Sequence, residues 1–280
     1  MKKVRKILLV CLILMVFGML QSQNAYAEKI GMYKLSDSGI NSKYDVTGDG
    51  VPDKVEIKKL NRDHYEYCGF EIIINGKTVL KDDDITYYIG LEVVFIQTKD
   101  HGYFLISNGS GEGMDIIYEY AGGRLKKCCD LFADIEGKLG WCCGKATVSS
   151  VKAQSIKLKT TGQTSMLGET KLSFELKVGK KGKLSLAKKT IGVSCHRLIS
   201  GNGRFYHPKY LVTAKKIQVY RSVEGTKKAF CIKKGTKVKI TKASIKGKTP
   251  MYYCITKSGK KGWIKDEGIL YLFKDLAYAG

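Results

Sequence analysis

The chain reads as mainly β, with antiparallel sheets. Three observations carry that expectation. Apolar and polar residues alternate with a period of two in many short runs, Lys171 to Val178 (KLSFELKV) being a clear case. Asn75-Gly76 sits between two such runs, and an Asn-Gly pair is the strongest short-range signal of a tight hairpin. Glycines punctuate the runs throughout, while only three prolines occur to interrupt them.

The first element is a leader. Lys2, Lys3, Arg5 and Lys6 precede an apolar stretch from Ile7 to Leu20, and Ala25-Tyr26-Ala27 has the small-x-small form of a cleavage site. That apolar stretch is shorter than the ~20 residues a spanning helix needs. Residues 1–27 are therefore expected to be a signal peptide, with an uncleaved anchor as the alternative. The mature chain is expected to be secreted, with no transmembrane segment after cleavage. Roughly 250 residues then remain, enough for two modest domains.

An acidic loop follows, Tyr44 to Glu56, reading YDVTGDGVPDKVE. Its spacing fits a calcium loop, in which several hard oxygens must converge on one short turn and Gly50 lets the backbone fold back. Side chains of Asp45, Thr47, Asp49 and Asp53, the Val51 carbonyl and Glu56 are the expected ligands. The chain leaves this loop into an alternating run, Val55-Glu56-Ile57, so a strand rather than a helix is expected next. A plain turn held by Asp side chains on backbone amides is the competing reading.

Hairpins occupy the region up to about residue 206, in a blade-like succession. Phe70 to Ile74 pairs with Lys77 to Leu80, and Leu91 to Gln97 with Tyr103 to Ser107. The glycine-rich run Ser107 to Gly113 is no phosphate cradle, because a strand, Asp115 to Tyr120, follows it where a helix N-terminus would be needed. Leu131 to Leu139 is a helical turn or a loop. Alternation resumes from Ala146 to Val193, and Ser200-Gly201-Asn202-Gly203 has the composition of a linker.

Charge is unevenly spread. The whole chain carries 49 basic and 26 acidic residues, for a net +23. The excess is concentrated after Ala214, while residues 28–100 are slightly acidic. Only six of the basic residues are Arg; lysine acts as a mobile point charge, suited to diffuse attraction of polyanions more than to bidentate recognition. For an exported chain the anionic partners in reach are envelope polymers, and no nucleic acid is expected. The competing reading is that lysine keeps a secreted β-protein soluble.

The last element is built from three blocks: Val219-Tyr220-Arg221-Ser222, Ile232 to Val238 (IKKGTKV), and Ser258 to Ile264 (SGKKGWI). Together they resemble the bacterial SH3-like (SH3b) domain found at the C-terminus of secreted Gram-positive proteins. The resemblance implies a small SH3-like β-barrel over residues 207–280, after a β-rich domain over 28–206. It also implies attachment to an anionic cell-wall polymer or peptidoglycan, with Tyr220, Tyr252 and Trp263 as groove aromatics. Trp263 is equally suited to anchoring a barrel core.

Nothing points to catalysis. His64, His101, His196 and His207 show no metal-ligand spacing, Cys195-His196 are neighbours whose side chains diverge on a strand, and no G-x-S-x-G occurs. The expected function is a non-catalytic, cell-surface binding protein. The alternatives are a structural or accessory extracellular module with no ligand of its own and a wall hydrolase with an unrecognised site. Eight cysteines remain after leader removal, an even number compatible with a bridge between the Cys128-Cys129 and Cys142-Cys143 pairs or with free thiols.

Overall fold

In a computed structural model the described residues are 29–276, apart from 37–38, 64–65, 88–90, 109–114, 140, 165, 195–196 and 269–271. The leader, His64, the Gly109 to Gly113 run and Cys195-His196 therefore lie outside them. Among the described residues no helix is long and apolar enough to cross a membrane.

Antiparallel strands make three principal sheets. The first runs Ile40–Tyr44, Asp53–Lys59, Glu66–Ile74 and Arg62–Asp63, with Lys77–Tyr87 also on Glu66–Ile74. The second is ordered Gly31–Leu35, Leu91–Gln97, Gly102–Asn108, Asp115–Tyr120, Leu125–Asp130. The Asn75-Gly76 turn has φ of 51° and 79°, the left-handed pair that matches the twist of a two-residue hairpin.

The second sheet is the middle layer. Phe95, Phe104, Ile106 and Tyr118 face the first sheet, packing with Val55, Ile57, Phe70 and Ile72. Their neighbours Ile96, Tyr103, Leu105 and Ile117 join a second core with Ile156, Leu158, Leu172 and Leu176. Gly102–Asn108 is thus buried on both faces, which is why Tyr103-Phe104-Leu105-Ile106 is continuously apolar rather than alternating. The Tyr103 hydroxyl ties the two layers, donating to the Gly182 carbonyl at 2.9 Å.

The third sheet has eleven strands. Its path is Trp141–Lys152, Ser155–Thr164, Gly168–Val178, Thr190–Ser194, Lys237–Ser244, Met251–Thr256, Lys261–Lys265, Ile217–Tyr220 and Lys228–Ile232. Leu184–Leu186 and Leu211–Val212 pair at its side. Thr190–Ser194 is the joint, bonded to Gly168–Val178 on one side and Lys237–Ser244 on the other. One sheet and one core therefore run from the middle of the chain into its C-terminal strands. Those strands follow the expected blocks, with turns at Gly235 and Gly259 (φ 82° and 87°), but their ladder ends at Lys228–Ile232 and does not close on itself. The linker-like Ser200 to Gly203 forms the turn of a small hairpin, Leu198–Ile199 with Phe205–Tyr206. Cys68, Cys128, Cys129, Cys231 and Cys254 are free thiols.

Candidate ligand-binding face

The C-terminal strands alternate cleanly between core and surface. In Met251–Thr256, Tyr252 and Cys254 point into the core while Tyr253 and Ile255 point out; in Lys261–Lys265, Gly262 and Ile264 point in while Lys261, Trp263 and Lys265 point out. Cross-strand partners share a face. Lys242 opposes Tyr253, Tyr253 opposes Trp263, and Trp263 opposes Tyr220. The result is one row across four strands. The Tyr253 and Trp263 rings meet edge to face at 5.1 Å, and the Lys242 ammonium lies 5.7 Å from the Tyr253 ring.

Cations flank the aromatics. One rung away, Ile255 sits between Lys239 and Lys261. Among the described residues no carboxylate pairs with Lys239, Lys242 or Lys261, so their charge is uncompensated locally. Gly262 brings the strands close: a methyl there would stand 2.5 Å from Val219 Cγ1 and 2.7 Å from the Tyr220 carbonyl. The row can offer flat aromatic faces and ammonium donors to a ligand carrying both rings and negative charge.

Of the three aromatics expected from sequence, Tyr220 and Trp263 come together and Tyr252 does not. Tyr252 has no exposed surface, and burial pushes its phenol above the ordinary tyrosine range. Its place is taken by Tyr253. The signal was present in the alternation, because Cys254 and Tyr252 share a phase and only one phase can face the core.

The acidic loop is drawn together by its own amides. Asp45 accepts N–H groups of Gly48 (2.7 Å), Asp49 (3.1 Å) and Gly50 (2.7 Å). Asp53, 1% exposed, accepts those of Val46 and Thr47, both at 2.7 Å, the Thr47 hydroxyl, and the Asn75 side-chain amide. Asp49 accepts the Val51 N–H at 2.8 Å. Glu56 lies on the following strand, 3.7 Å from the Lys58 ammonium. The loop oxygens thus face backbone donors, and among the described residues no three acidic, His or Cys side chains converge as a metal centre would require. This geometry fits the Asp-capped turn better than a cage of oxygens around a cation.

Three of the described thiols are held in their neutral form. Burial pushes Cys128 and Cys254 up to about 11 and Cys129 up to about 12, which keeps each a neutral thiol near neutral pH. His101 is held by Glu119 at 2.8 Å, and His207 is exposed on the chain after the hairpin. The chain matches no family model, no curated protein and no solved structure.

Proposed function

We propose that this is a secreted, non-catalytic binding protein that attaches to an anionic cell-wall polymer through the outward face of its C-terminal strands, an SH3-like module left open at one edge. The observation that carries this reading is the row Lys242, Tyr253, Trp263 and Tyr220, with aromatic residues in register and lysines beside them that no carboxylate among the described residues pairs. The basic excess after Ala214 supplies the long-range attraction, and export is the reading of residues 1–27. Calcium binding by the acidic loop is a separate and less favoured reading, in which an ion would use carboxylate lone pairs that the loop amides leave open.

A second reading rests on the joint at Thr190–Ser194. Because the C-terminal strands extend the same sheet as Gly168–Val178, they could serve as an accessory module whose only partner is the rest of the chain. Pelleting the purified protein with isolated cell walls across a salt series separates the two. Binding at low salt that fades steeply as salt rises supports attachment, since screening weakens lysine–polyanion contacts. No pelleting at low salt supports the accessory reading, and clearing of a peptidoglycan zymogram would instead indicate a hydrolase.

A further inference from the structure

The aromatic row does not stop at the C-terminal strands. Lys242 opposes Gly192 of the joining strand, and Gly192 opposes Ser173. Beyond Ser173 the same rung continues to Lys159 and then Thr147. Eight strands thus contribute one residue each to a single line on one face, none of them buried. At a strand spacing of about 4.8 Å the line is roughly 33 Å long, measured along the sheet.

Its far end is a pocket with a structural cause. Gly168–Val178 is paired by Leu184–Leu186 over its last residues and by Thr190–Ser194 nearer its middle. The chain between those two partners has no strand pairing at residues 188–189, after the Ala187 N–H bonds the Glu175 carbonyl at 2.8 Å. That segment lines a cavity of about 280 Å³, whose polar side is formed by Lys157, Lys159, Lys188, Ser149, Ser173 and Thr190. Glu175, the acid in its wall, is tied to the Ser155 hydroxyl at 2.7 Å. Gly192 leaves room for the Ser173 hydroxyl, which packs directly over it where a Cβ would stand. Three lysines and three hydroxyl-bearing residues around a cavity of this size suit one anionic, polyhydroxylated unit.

We infer that the pocket and the aromatic row are two ends of one binding track, and that its occupant is a linear acidic polysaccharide lying across the strands. The inference rests on the proposed binding role of the aromatic row and adds to it the acidic-sugar class of the polymer and the second contact. Charge complementarity selects a polyanion, and flat rings beside lysines favour repeating sugar units. Linking two weak contacts on one chain raises affinity by about 100-fold or more when the ligand spans both.

The experiment uses the full mature chain and measures affinity at low salt for a disaccharide and an octasaccharide of galacturonic acid. A phosphodiester-linked sugar octamer and a single-stranded DNA octamer serve as comparison probes. The expected result is that either acidic glycan octamer binds about 100-fold more tightly than the disaccharide. The variant Lys157→Gln/Lys159→Gln, altered only at exposed positions, should lose that gain and keep the melting temperature. Octamer binding without a length-dependent gain, or a gain unaffected by the pocket variant, overturns the track while leaving the aromatic row in place. Absence of binding by every glycan overturns the aromatic row as well. DNA bound as tightly as the glycans overturns the assigned ligand class.

Discussion

Adjacent tyrosines on opposite faces of one strand give a sharp test, because Tyr252 and Tyr253 should fail in different ways. Tyr252→Ala removes a ring with no exposed surface from the core shared by Ile240, Val219 and Ile264. Deletion of a buried aromatic of this size costs about 3–5 kcal/mol. In a domain of this length that corresponds to a fall of about ten degrees in melting temperature. Tyr253→Ala removes a half-exposed ring whose main contact is the edge-to-face pair with Trp263 at 5.1 Å. That pair contributes about 0.5–1.5 kcal/mol, so the melting temperature should fall by only a few degrees. Truncating an aromatic anchor of a binding face costs about 2 kcal/mol, so the same variant should weaken wall binding by about tenfold or more. Tyr252→Phe is the control. Its buried phenol faces the Thr164 side chain without a well-formed hydrogen bond among the described residues. Removing it should leave stability equal or slightly higher and binding unchanged. The assays are thermal melts by circular dichroism and wall pelleting on the same preparations. A Tyr253→Ala protein that melts like a core variant, or binds walls as tightly as wild type, refutes the facing of this strand or the role of its outer row.

Three further outcomes follow from the geometry. Burial of Asp115 raises its pKa from 3.8 to about 6 against the opposing Ser107 and Ala146 hydrogen bonds and the nearby Lys145, so the fold prefers its neutral form. The folded state then holds the proton more tightly than the unfolded one; stability falls as pH rises from about 4 to about 6 and is lower by roughly 3 kcal/mol above that window. Asp115→Asn should gain on wild type across those pH values in urea unfolding, and a difference independent of pH would contradict the assignment. Gly262→Ala, which drives a methyl into Val219 and the Tyr220 carbonyl, should cost about 1–3 kcal/mol, and an unchanged melting temperature would show that these strands are not so closely apposed. The amide-filled acidic loop should give the same melting temperature in excess calcium and in chelator, whereas a rise of several degrees with calcium would establish the loop as a cation site.

Much of the architecture could be read from the amino-acid order, and the misses have physical causes. Period-two alternation located the hairpin at Asn75-Gly76 and the C-terminal strands because one side of each meets water. Tyr103 to Ile106 gave no alternation, since both sides are covered, and so the three-layer arrangement was invisible until sheets were stacked. Asp82-Asp83-Asp84 has the composition of a solvated corner but lies within Lys77–Tyr87, where Gly69 (φ 109°) bulges the opposing strand against Asp82. Ser200 to Gly203 has linker chemistry and makes a hairpin turn, because a short turn and a linker use the same residues. The joint at Thr190–Ser194 depends on pairing between segments some fifty residues apart, Ile191 with Ala243, and nothing local encodes it. At the candidate face, Tyr220 and Trp263 of the sequence reading lie side by side on the surface while Tyr252 is buried and its neighbour Tyr253 faces out, a one-residue change of phase that exchanges core for surface.

The most direct measurement is the fluorescence of Trp263 itself. Trp141→Phe leaves it the sole tryptophan of the chain, and the variant is titrated at low salt with soluble acidic wall polymer. A saturable change in its emission that reverses on adding salt is the predicted result. Unchanged emission under conditions where the same variant pellets with walls would mean that the polymer is held elsewhere on the protein.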